Sequence, residues 1–453
     1  MSFALDLARR VNRLAIGTMP EEAIHVAKFC IADTLGVSLA GQDEPVVQIA
    51  THTLEIERAP GPCFIFGSKV RGTALDAALI NGAAAHALDY DDCSTIMGGH
   101  PSAPVVPALL ALAEEMGASG KVVLEAFICG IEAEIRLARG LLPHHYEKGW
   151  HPTSTLGVFG AAAACARLLN LNDEQLARAL AIAVSLSNGV KANFGTPTKP
   201  LHVGTAARGG LMAALLARDG LSANPNAFEQ EQGFFDVFNG QGNFNINAML
   251  ADRDGALELL SPGVAIKQHP CCGSAHSAID AAIKLRKTNG ALKAADIESI
   301  ETQTHARRLA HTNRPDPRTG LDAKFSVQYT TARALMEGTI RFDHFEGDAF
   351  MDPTIRGLLS RTVSRPHNET NEYLGRVMVT LRNGTTLRSE AVTPFGRGQD
   401  NPMSTDELKD KFMDCAIRTR PATVGGRAFD EVMMFDRLPD VRRLTAILAE
   451  SAA

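Results

Sequence analysis

Two long stretches of small residues place the strongest constraint on how this chain can fold. They read "ALDAALINGAAAHAL" at 74–88 and "GVFGAAAACARLL" at 157–169. Alanine and glycine at this density, over helical lengths, allow neighbouring helices to approach one another closely. We therefore expect two central helices that are buried on all sides, with other helices packed around them.

Helical periodicity continues through most of the first 260 residues. The stretches at 20–41, 105–117 and 120–140 repeat apolar residues at helical spacing, and each stops at a glycine, as many helices do. Asn172, followed three residues later by Gln175, resembles a capping box. This part of the chain therefore reads as almost wholly helical.

Strand patterns begin after residue 263. The segment "IESIETQTH" at 297–305 alternates like a half-buried strand, and 375–392 reads as a β-hairpin that turns at Asn383-Gly384. Helical patterns near 276–288 and 325–337 flank these strands. The segment therefore predicts a unit of mixed α+β structure.

The helical pattern then returns, with Ser404 and Glu407 spaced as a second capping box. At 453 residues the chain is also too long for one ordinary core. We predict a mainly α fold: a large all-helical domain over 1–263, a smaller α+β lid domain inserted at 264–394, and a C-terminal return to the helical domain over 395–453.

Composition argues against several classes of partner. The net charge is −6, there is no basic block, and aromatic residues are few, so nucleic acid is not an expected partner. No run reaches the roughly 18 apolar residues of a membrane span, and the N-terminus lacks a secretory pattern. We expect a cytoplasmic protein without a membrane partner.

The usual cofactor and metal motifs are missing from the sequence. Eight cysteines are scattered without a C-x-x-C pair, which is typical of reduced, buried thiols rather than of zinc or iron–sulfur sites. Phosphate-loop, dinucleotide and H-E-x-x-H patterns also fail on spacing or context. We therefore expect no cofactor and no metal.

Five polar segments interrupt the apolar framework. They are "LDYDDCSTIMGGHPS", "HYEKGWHPTSTLG", "FGTPTKPLHVG", "AIKQHPCCGSAH" and "AKFSVQY". Each offers a group suited to proton transfer or to binding a carboxylate; these groups are Asp89, His100, His151, Lys199, Lys267 and Tyr329. A single histidine or lysine of this kind is more often a loop or surface residue, so the interpretation depends on their convergence.

Two of these segments open helices. Free N–H groups at a helix N-terminus attract anions, and hydroxyls such as that of Thr153 lie beside them in sequence. Lys199 is expected in a loop framed by apolar helices. Together with histidines, these groups predict a pocket of strongly positive potential whose natural ligand is a small polycarboxylate.

At the same segments the chain resembles the MmgE/PrpD family. The resemblance runs from near residue 5 to about 440 and rests on "LDYDD…GHPS", "GWHPTSTLGVFGA", "GTPTKPLHVGTAARGG" and "NPMSTDELKDKF". It implies a helical domain with an α+β lid, a homodimer, and chemistry without a metal or organic cofactor. It also implies one of three reactions: dehydration of a 2-methylcitrate-like acid, decarboxylation of a cis-aconitate-like acid, or epimerisation of an iminodisuccinate-like acid.

The resemblance also assigns site residues. It places six residues at active-site positions: Asp89, His100, His151, Lys199, Lys267 and Tyr329. We predict a catalytic set of His100, Asp89, Lys199 and Tyr329, and a substrate-binding set of His151, Lys267, Cys93, Thr153 and Cys272. Cys93 and Cys272 stand where decarboxylase-type members carry threonine and histidine.

In the mechanism that we expect, His100 is the general acid or base and Asp89 orients it. Lys199 and Lys267 pair with substrate carboxylates, and Tyr329 supplies a hydroxyl from the lid. Asp91 and Asp92 are interpreted mainly as caps of backbone N–H groups, and His202 and His276 as supporting residues.

Several alternatives stay open at this stage. The leading hypothesis is a cofactor-free lyase that dehydrates or decarboxylates a small di- or tricarboxylic acid. An epimerase or isomerase on the same scaffold needs the same groups. A non-catalytic carboxylate-binding protein, and a metalloenzyme that uses Asp89, Asp91 and His100, are the remaining hypotheses.

Overall fold

The computed structural model of the protein describes residues 2–58, 60–252, 255–398 and 401–450. The chain forms two compact units: Met1–Ile266 together with Ser404–Ala453, and Lys267–Met403. The chain therefore leaves the first unit once and returns to it for its last segment. The domain limits predicted from the sequence, at 264 and 394, stay a prediction.

The described elements follow one another in chain order. The first unit begins with helices and a short two-stranded ribbon: α1 (Phe3–Asn12), α2 (Glu21–Ala40), α3 (Pro45–Thr53), β1 (Cys63–Phe64), β2 (Arg71–Gly72), α4 (Ala74–Ala87), α5 (Ser102–Met116), α6 (Gly120–Leu141), α7 (His144–Glu147), α8 (Pro152–Thr155), α9 (Gly157–Leu168), α10 (Asp173–Val184), α11 (Thr198–Arg218), α12 (Phe234–Asn239) and α13 (Ile246–Leu250). The second unit contains α14 (His276–Asn289), β3 (Ile297–His305), α15 (Ala306–Thr312), α16 (Gly320–Lys324), α17 (Val327–Glu337), α18 (Pro353–Leu359), β4 (Thr362–His367), β5 (Gly375–Leu381) and β6 (Thr386–Ala391). The first unit is completed by α19 (Thr405–Ala416), α20 (Ala422–Met433) and α21 (Arg442–Ala449).

The two small-residue stretches form central helices, as predicted. Almost every residue of α4 and α9 is buried. α4 packs along α11 at a glycine pair: a Cβ added to Gly204 would lie 2.3 Å from the carbonyl oxygen of Leu79, and one added to Gly82 would lie 3.0 Å from Cα of Gly204. This close approach fixes the end of α4 relative to the first turns of α11.

Helix ends follow the predictions with one correction. α2 and α5 end at Gly41 and Gly117, and the capping boxes at Asn172 and Ser404 are confirmed. α6, predicted to stop at Gly140, ends at Leu141 instead. Gly140 serves close packing, because a Cβ there would lie 2.4 Å from the carbonyl oxygen of Asn245.

The segment Glu21–Asp43 is long and apolar enough to cross a membrane, with a mean hydropathy of 1.4 over its best window. Yet 78% of that window is buried within the protein, as expected for the core helix of a folded unit. Its apolar character is accounted for by packing.

The second unit is built on a mixed four-stranded sheet in the order β4-β3-β5-β6. The predicted strand at 297–305 and the hairpin β5–β6 are confirmed, and Gly384 at its turn has a φ of 86°. α14 and α17 share a buried core with β3 and β5. Two features were not predicted from the sequence: β4, which pairs in parallel with β3, and the small ribbon β1–β2.

Candidate active site

The candidate site of the first unit lies where three helices meet one loop. α4 ends just after His86, and residues 88–101 lead from it into α5. His151 immediately precedes α8, and Lys199 lies in the first turn of α11. Lys199 is therefore on a helix, which corrects its prediction as a loop residue.

Asp91 lies between two imidazole rings. Its Oδ2 atom is 2.7 Å from Nδ1 of His86 and 3.2 Å from Nδ1 of His100. Burial alone would raise the pKa of the Asp91 carboxyl, but the two imidazoles hold it well below its ordinary value. Burial lowers the pKa of His86 to about 4, so His86 is neutral near pH 7 and donates its Nδ1–H to the Asp91 carboxylate.

Asp89 pairs with Lys199. The Lys199 ammonium lies 2.8 Å from Oδ1 of Asp89, and the same oxygen is 3.8 Å from Nε2 of His100. The side chains of Asp89, Lys199 and His100 are 19%, 17% and 14% exposed, so solvent or a small ligand reaches them. Asp89 also has a φ of 54°, a strained conformation of the kind that concentrates at functional sites.

His151 and His202 form the wall next to this pair. Their Nδ1 atoms lie 3.3 Å apart, and the ring of His151 is 5.5 Å from that of His86. Burial, together with the neighbouring His86 and Lys199, keeps the pKa of His151 well below its ordinary value. His151 is therefore a neutral hydrogen-bonding group near pH 7 rather than a cation.

Glycine is favoured at each of the two positions before His100, for a different physical reason at each. Gly98 has a φ of 60°, a conformation that glycine adopts without strain. A Cβ on Gly99 would lie 2.9 Å from both the backbone nitrogen and Oγ1 of Thr153. The same Oγ1 accepts the His100 N–H at 3.2 Å, so Thr153 fixes the backbone of His100.

Asp92 points away from the histidines and caps α5. It accepts both the backbone N–H and the hydroxyl of Ser102, at 3.2 and 2.5 Å. Burial, helped by the nearby Asp33 carboxylate, raises the pKa of Asp92 to about 7. The predicted capping role is confirmed for Asp92, and it was incomplete for Asp91, which contacts two imidazoles.

The prediction of a strongly positive pocket is wrong for the part of the site that lies in the first unit. The charge of Lys199 is balanced by Asp89, and Asp91 adds a second negative charge. His86 and His151 are neutral near pH 7. The site is thus an acid–base cluster around His100 in which two carboxylates, Asp89 and Asp91, lie close to one ammonium, that of Lys199.

Three of the predicted site residues belong to the second unit. Lys267 is buried, and Cys272 is half-buried and donates its backbone N–H to the carbonyl of Lys324. The side chain of Tyr329 is fully buried; its hydroxyl donates to the carbonyl of His344 at 2.5 Å and accepts from Nε of Arg333 at 3.0 Å. Their predicted roles toward a substrate stay predictions.

Cys93 lies in the first unit at the edge of the loop. Its backbone pairs with Ala265 through two hydrogen bonds of 2.8 Å, and its side chain is half-buried. The backbone pairing fixes the loop between Asp92 and Gly99, and the predicted contact of the thiol with substrate stays a prediction.

His86 was not predicted from the sequence as a site residue. The available signal was weak: one histidine at the end of an apolar helix, five residues before Asp91. A histidine in that pattern is usually a satisfied core residue, and only the fold shows that its ring lies 4.6 Å from that of His100.

His86, Asp89 and His100 also have ligand atoms within 4.8 Å of one another, which is the geometry of a possible metal site. Asp89 already pairs with the Lys199 ammonium, which would repel a cation at that oxygen. The donor set therefore fits proton transfer better than metal binding.

Two family models match most of the chain. Residues 5–247 match the MmgE/PrpD N-terminal domain, and residues 269–425 match the MmgE/PrpD C-terminal domain. The chain is 32% identical over 425 residues to cis-aconitate decarboxylase of Homo sapiens, covering 91% of this chain and 87% of that protein.

Fungal relatives are also similar along nearly their whole length. The cis-aconitate decarboxylase-like protein oryM of Aspergillus oryzae is 26% identical, covering 98% of this chain and 96% of that protein. Cis-aconitate decarboxylase of Aspergillus terreus is 24% identical, covering 98% and 95%. The similarity therefore extends through both units of the chain.

Proposed function

The chain belongs to the MmgE/PrpD family and is a lyase, and we propose that it removes CO2 from cis-aconitate or from a very similar tricarboxylic acid. The observation that carries this proposal is the His100 cluster. Nδ1 of the imidazole lies 3.2 Å from the Asp91 carboxylate, while Nε2 lies 3.8 Å from Oδ1 of Asp89, which pairs with Lys199.

The chemistry requires one proton at one carbon. When the carboxylate on the saturated carbon of cis-aconitate leaves as CO2, the C–C bond electrons spread over the adjacent double bond toward a second carboxylate. A proton delivered to the far end of this allylic system completes the reaction. One tricarboxylate and one proton therefore give one CO2 and one unsaturated dicarboxylate.

In the proposed mechanism His100 delivers that proton from Nε2. The negative charge of Asp91 stabilises the imidazolium before transfer, and the neutral ring of His86 holds Asp91 in place. Lys199 donates to a substrate carboxylate and stabilises the charge that develops beside it. His151 offers a neutral ring for a further hydrogen bond.

The test is direct incubation of the purified protein with cis-aconitate, with CO2 and the dicarboxylate product quantified. His100→Asn should lower kcat by roughly 10² to 10⁴, the usual contribution of a general acid, while KM changes little. His52→Asn, at an exposed histidine of α3, is the matched control and should keep full activity. A folded His100→Asn variant with normal kcat would remove His100 from the mechanism.

The same assay in D2O separates decarboxylation from epimerisation. A decarboxylase places one deuterium in its five-carbon product for each CO2 released. An epimerase would exchange deuterium into an unchanged carbon skeleton without releasing CO2. If the protein incorporates deuterium into iminodisuccinate-like acids and releases no CO2 from cis-aconitate, the result would contradict this proposal. Homodimeric assembly, a cytoplasmic location and independence of cofactors stay predictions.

A further inference from the structure

A buried lysine of the C-terminal segment contacts the backbone of the loop 88–101, which connects α4 to α5. Lys411 lies on α19, and its side chain is 1% exposed. Its ammonium donates to the carbonyl oxygen of Tyr90 at 2.9 Å and pairs with Oδ1 of Asp33 at 2.5 Å. It also lies 3.8 Å from the centre of the Tyr90 ring.

The carbonyl group that accepts this hydrogen bond lies between two acidic residues of the candidate site. Tyr90 stands between Asp89, which pairs with Lys199, and Asp91, which contacts His100. Asp89 is held in the left-handed region with a φ of 54°, which is unfavourable for a residue with a side chain and persists only where the surroundings enforce it. The Lys411 bond to the intervening carbonyl is such a constraint.

We propose that Lys411 is a positioning residue: it fixes the Tyr90 carbonyl and so holds Asp89 and Asp91 on either side of His100. The proposal rests on the role given to His100 in the proposed function. Lys411 contacts the loop only at Tyr90 among the bonds described above, and it acts through that residue.

Stability alone does not account for a buried lysine–aspartate pair. Removing such charges from water costs much of what their attraction returns, and apolar replacement of both partners is often neutral or stabilising. The pair fixes the ammonium under one carbonyl, which an apolar contact cannot do, because a hydrogen bond has a direction and a short range. We therefore expect the pair to matter more for loop geometry than for folding.

The test compares three variants of the full-length protein. Asp33→Asn/Lys411→Met removes both charges and the bond to Tyr90, whereas Asp33→Asn alone keeps that bond. Lys409→Met, on the exposed side of the same helix with its partner Asp430, is the matched control. Circular dichroism and melting temperature report folding, and kcat and KM are measured with cis-aconitate.

Labelling of His100 by diethyl pyrocarbonate, followed by peptide mass spectrometry, gives a readout that needs no substrate. If the wild type does not decarboxylate cis-aconitate, the proposed function fails, while the labelling still tests Lys411. The expected result for the folded double variant is a kcat lowered by roughly 10- to 100-fold, the scale of a small misplacement of catalytic groups, with an unchanged KM and faster labelling of His100.

Lys409→Met should keep kcat and labelling close to the wild type, whereas Asp33→Asn, which keeps the bond to Tyr90, should lower kcat less than the double variant does. A folded double variant with normal kcat and normal labelling would overturn the proposal. So would a double variant that does not fold at any temperature, since the pair would then serve the fold and not the loop. A change in KM alone would also contradict it.

Discussion

Oδ2 of Asp91 lies 3.2 Å from Nδ1 of His100. The adjacent Asp92 carboxyl instead faces the first turn of α5, where it accepts two hydrogen bonds from Ser102. Two neighbouring acids of the same type therefore have different chemical environments. One is an anion between imidazoles, and the other is a buried carboxyl whose pKa is raised to about 7.

This difference predicts unequal effects of the same substitution. Asp91→Asn removes the negative charge that stabilises an imidazolium at His100, so we expect kcat to fall by roughly 10- to 100-fold, which is about 1.4–2.7 kcal/mol in the barrier. Asp92→Asn keeps an acceptor for Ser102 and should change kcat by less than about threefold, a difference of under 1 kcal/mol. Steady-state kinetics with cis-aconitate measure both, and equal losses in the two variants would contradict the assignment.

Chelation tests the alternative that the cluster holds a metal. The Lys199 ammonium at 2.8 Å from Asp89 would disfavour a cation at the group formed by His86, Asp89 and His100. We expect activity to be unchanged after dialysis against EDTA, and elemental analysis to find no stoichiometric metal. Activity that disappears with EDTA and returns with one specific divalent ion would contradict the proton-transfer mechanism.

The helical framework could be predicted because its signals are local. The alanine-rich α4 and α9, the glycine stops at Gly41 and Gly117, and both capping boxes depend on residues close in sequence. The strand β4 was missed because its partner β3 lies about 60 residues earlier and pairing in parallel leaves no turn signal.

The candidate site was predictable by residue type and not by pairing. Asp89, His100, His151 and Lys199 were singled out, but the sequence could not show which carboxylate faces which ring. Asp91 and Asp92 are adjacent, and only the folded loop shows that one lies beside His100 and the other beside Ser102. The charge of the site was overestimated for the same reason, because the Lys199–Asp89 pair joins residues 110 positions apart.

Because α4 and α11 pack closely, we expect one added methyl group at their contact to lower the stability of the protein. In Gly204→Ala the new Cβ would lie 2.3 Å from the carbonyl oxygen of Leu79, so the helices must separate. We expect a loss of about 1–3 kcal/mol in stability, as for other overpacked cores.

Gly209→Ala on the same helix is the matched control for this prediction. Its Cβ meets side-chain atoms of Val158 and Leu186 no closer than 3.4 Å, and alanine favours helix by up to about 1 kcal/mol over glycine. Thermal unfolding should therefore give a lower melting temperature for Gly204→Ala and no decrease for Gly209→Ala. Equal melting temperatures in all three proteins would show that the close approach is not required.

The raised pKa of Asp92 leads us to expect that its contribution to stability falls as the pH rises. The usual carboxylate, whose pKa is lowered by folding, does the opposite. The folded pKa of Asp92, about 7, lies above the ordinary value of 3.8 because the group is buried near Asp33. The folded state therefore binds a proton more tightly than the unfolded state, so this group's contribution to stability falls as the pH rises from about 4 to about 7. The full pKa difference of about 3 corresponds to a change in the free energy of unfolding on the order of 4 kcal/mol.

The variant Asp92→Asn tests this dependence because it has no proton to lose at this position. Its melting temperature should rise relative to that of the wild type between pH 4.5 and pH 7.5. Asp43→Asn, at an exposed acid, should show no such trend, and a difference between Asp92→Asn and the wild type that is constant with pH would contradict the raised pKa.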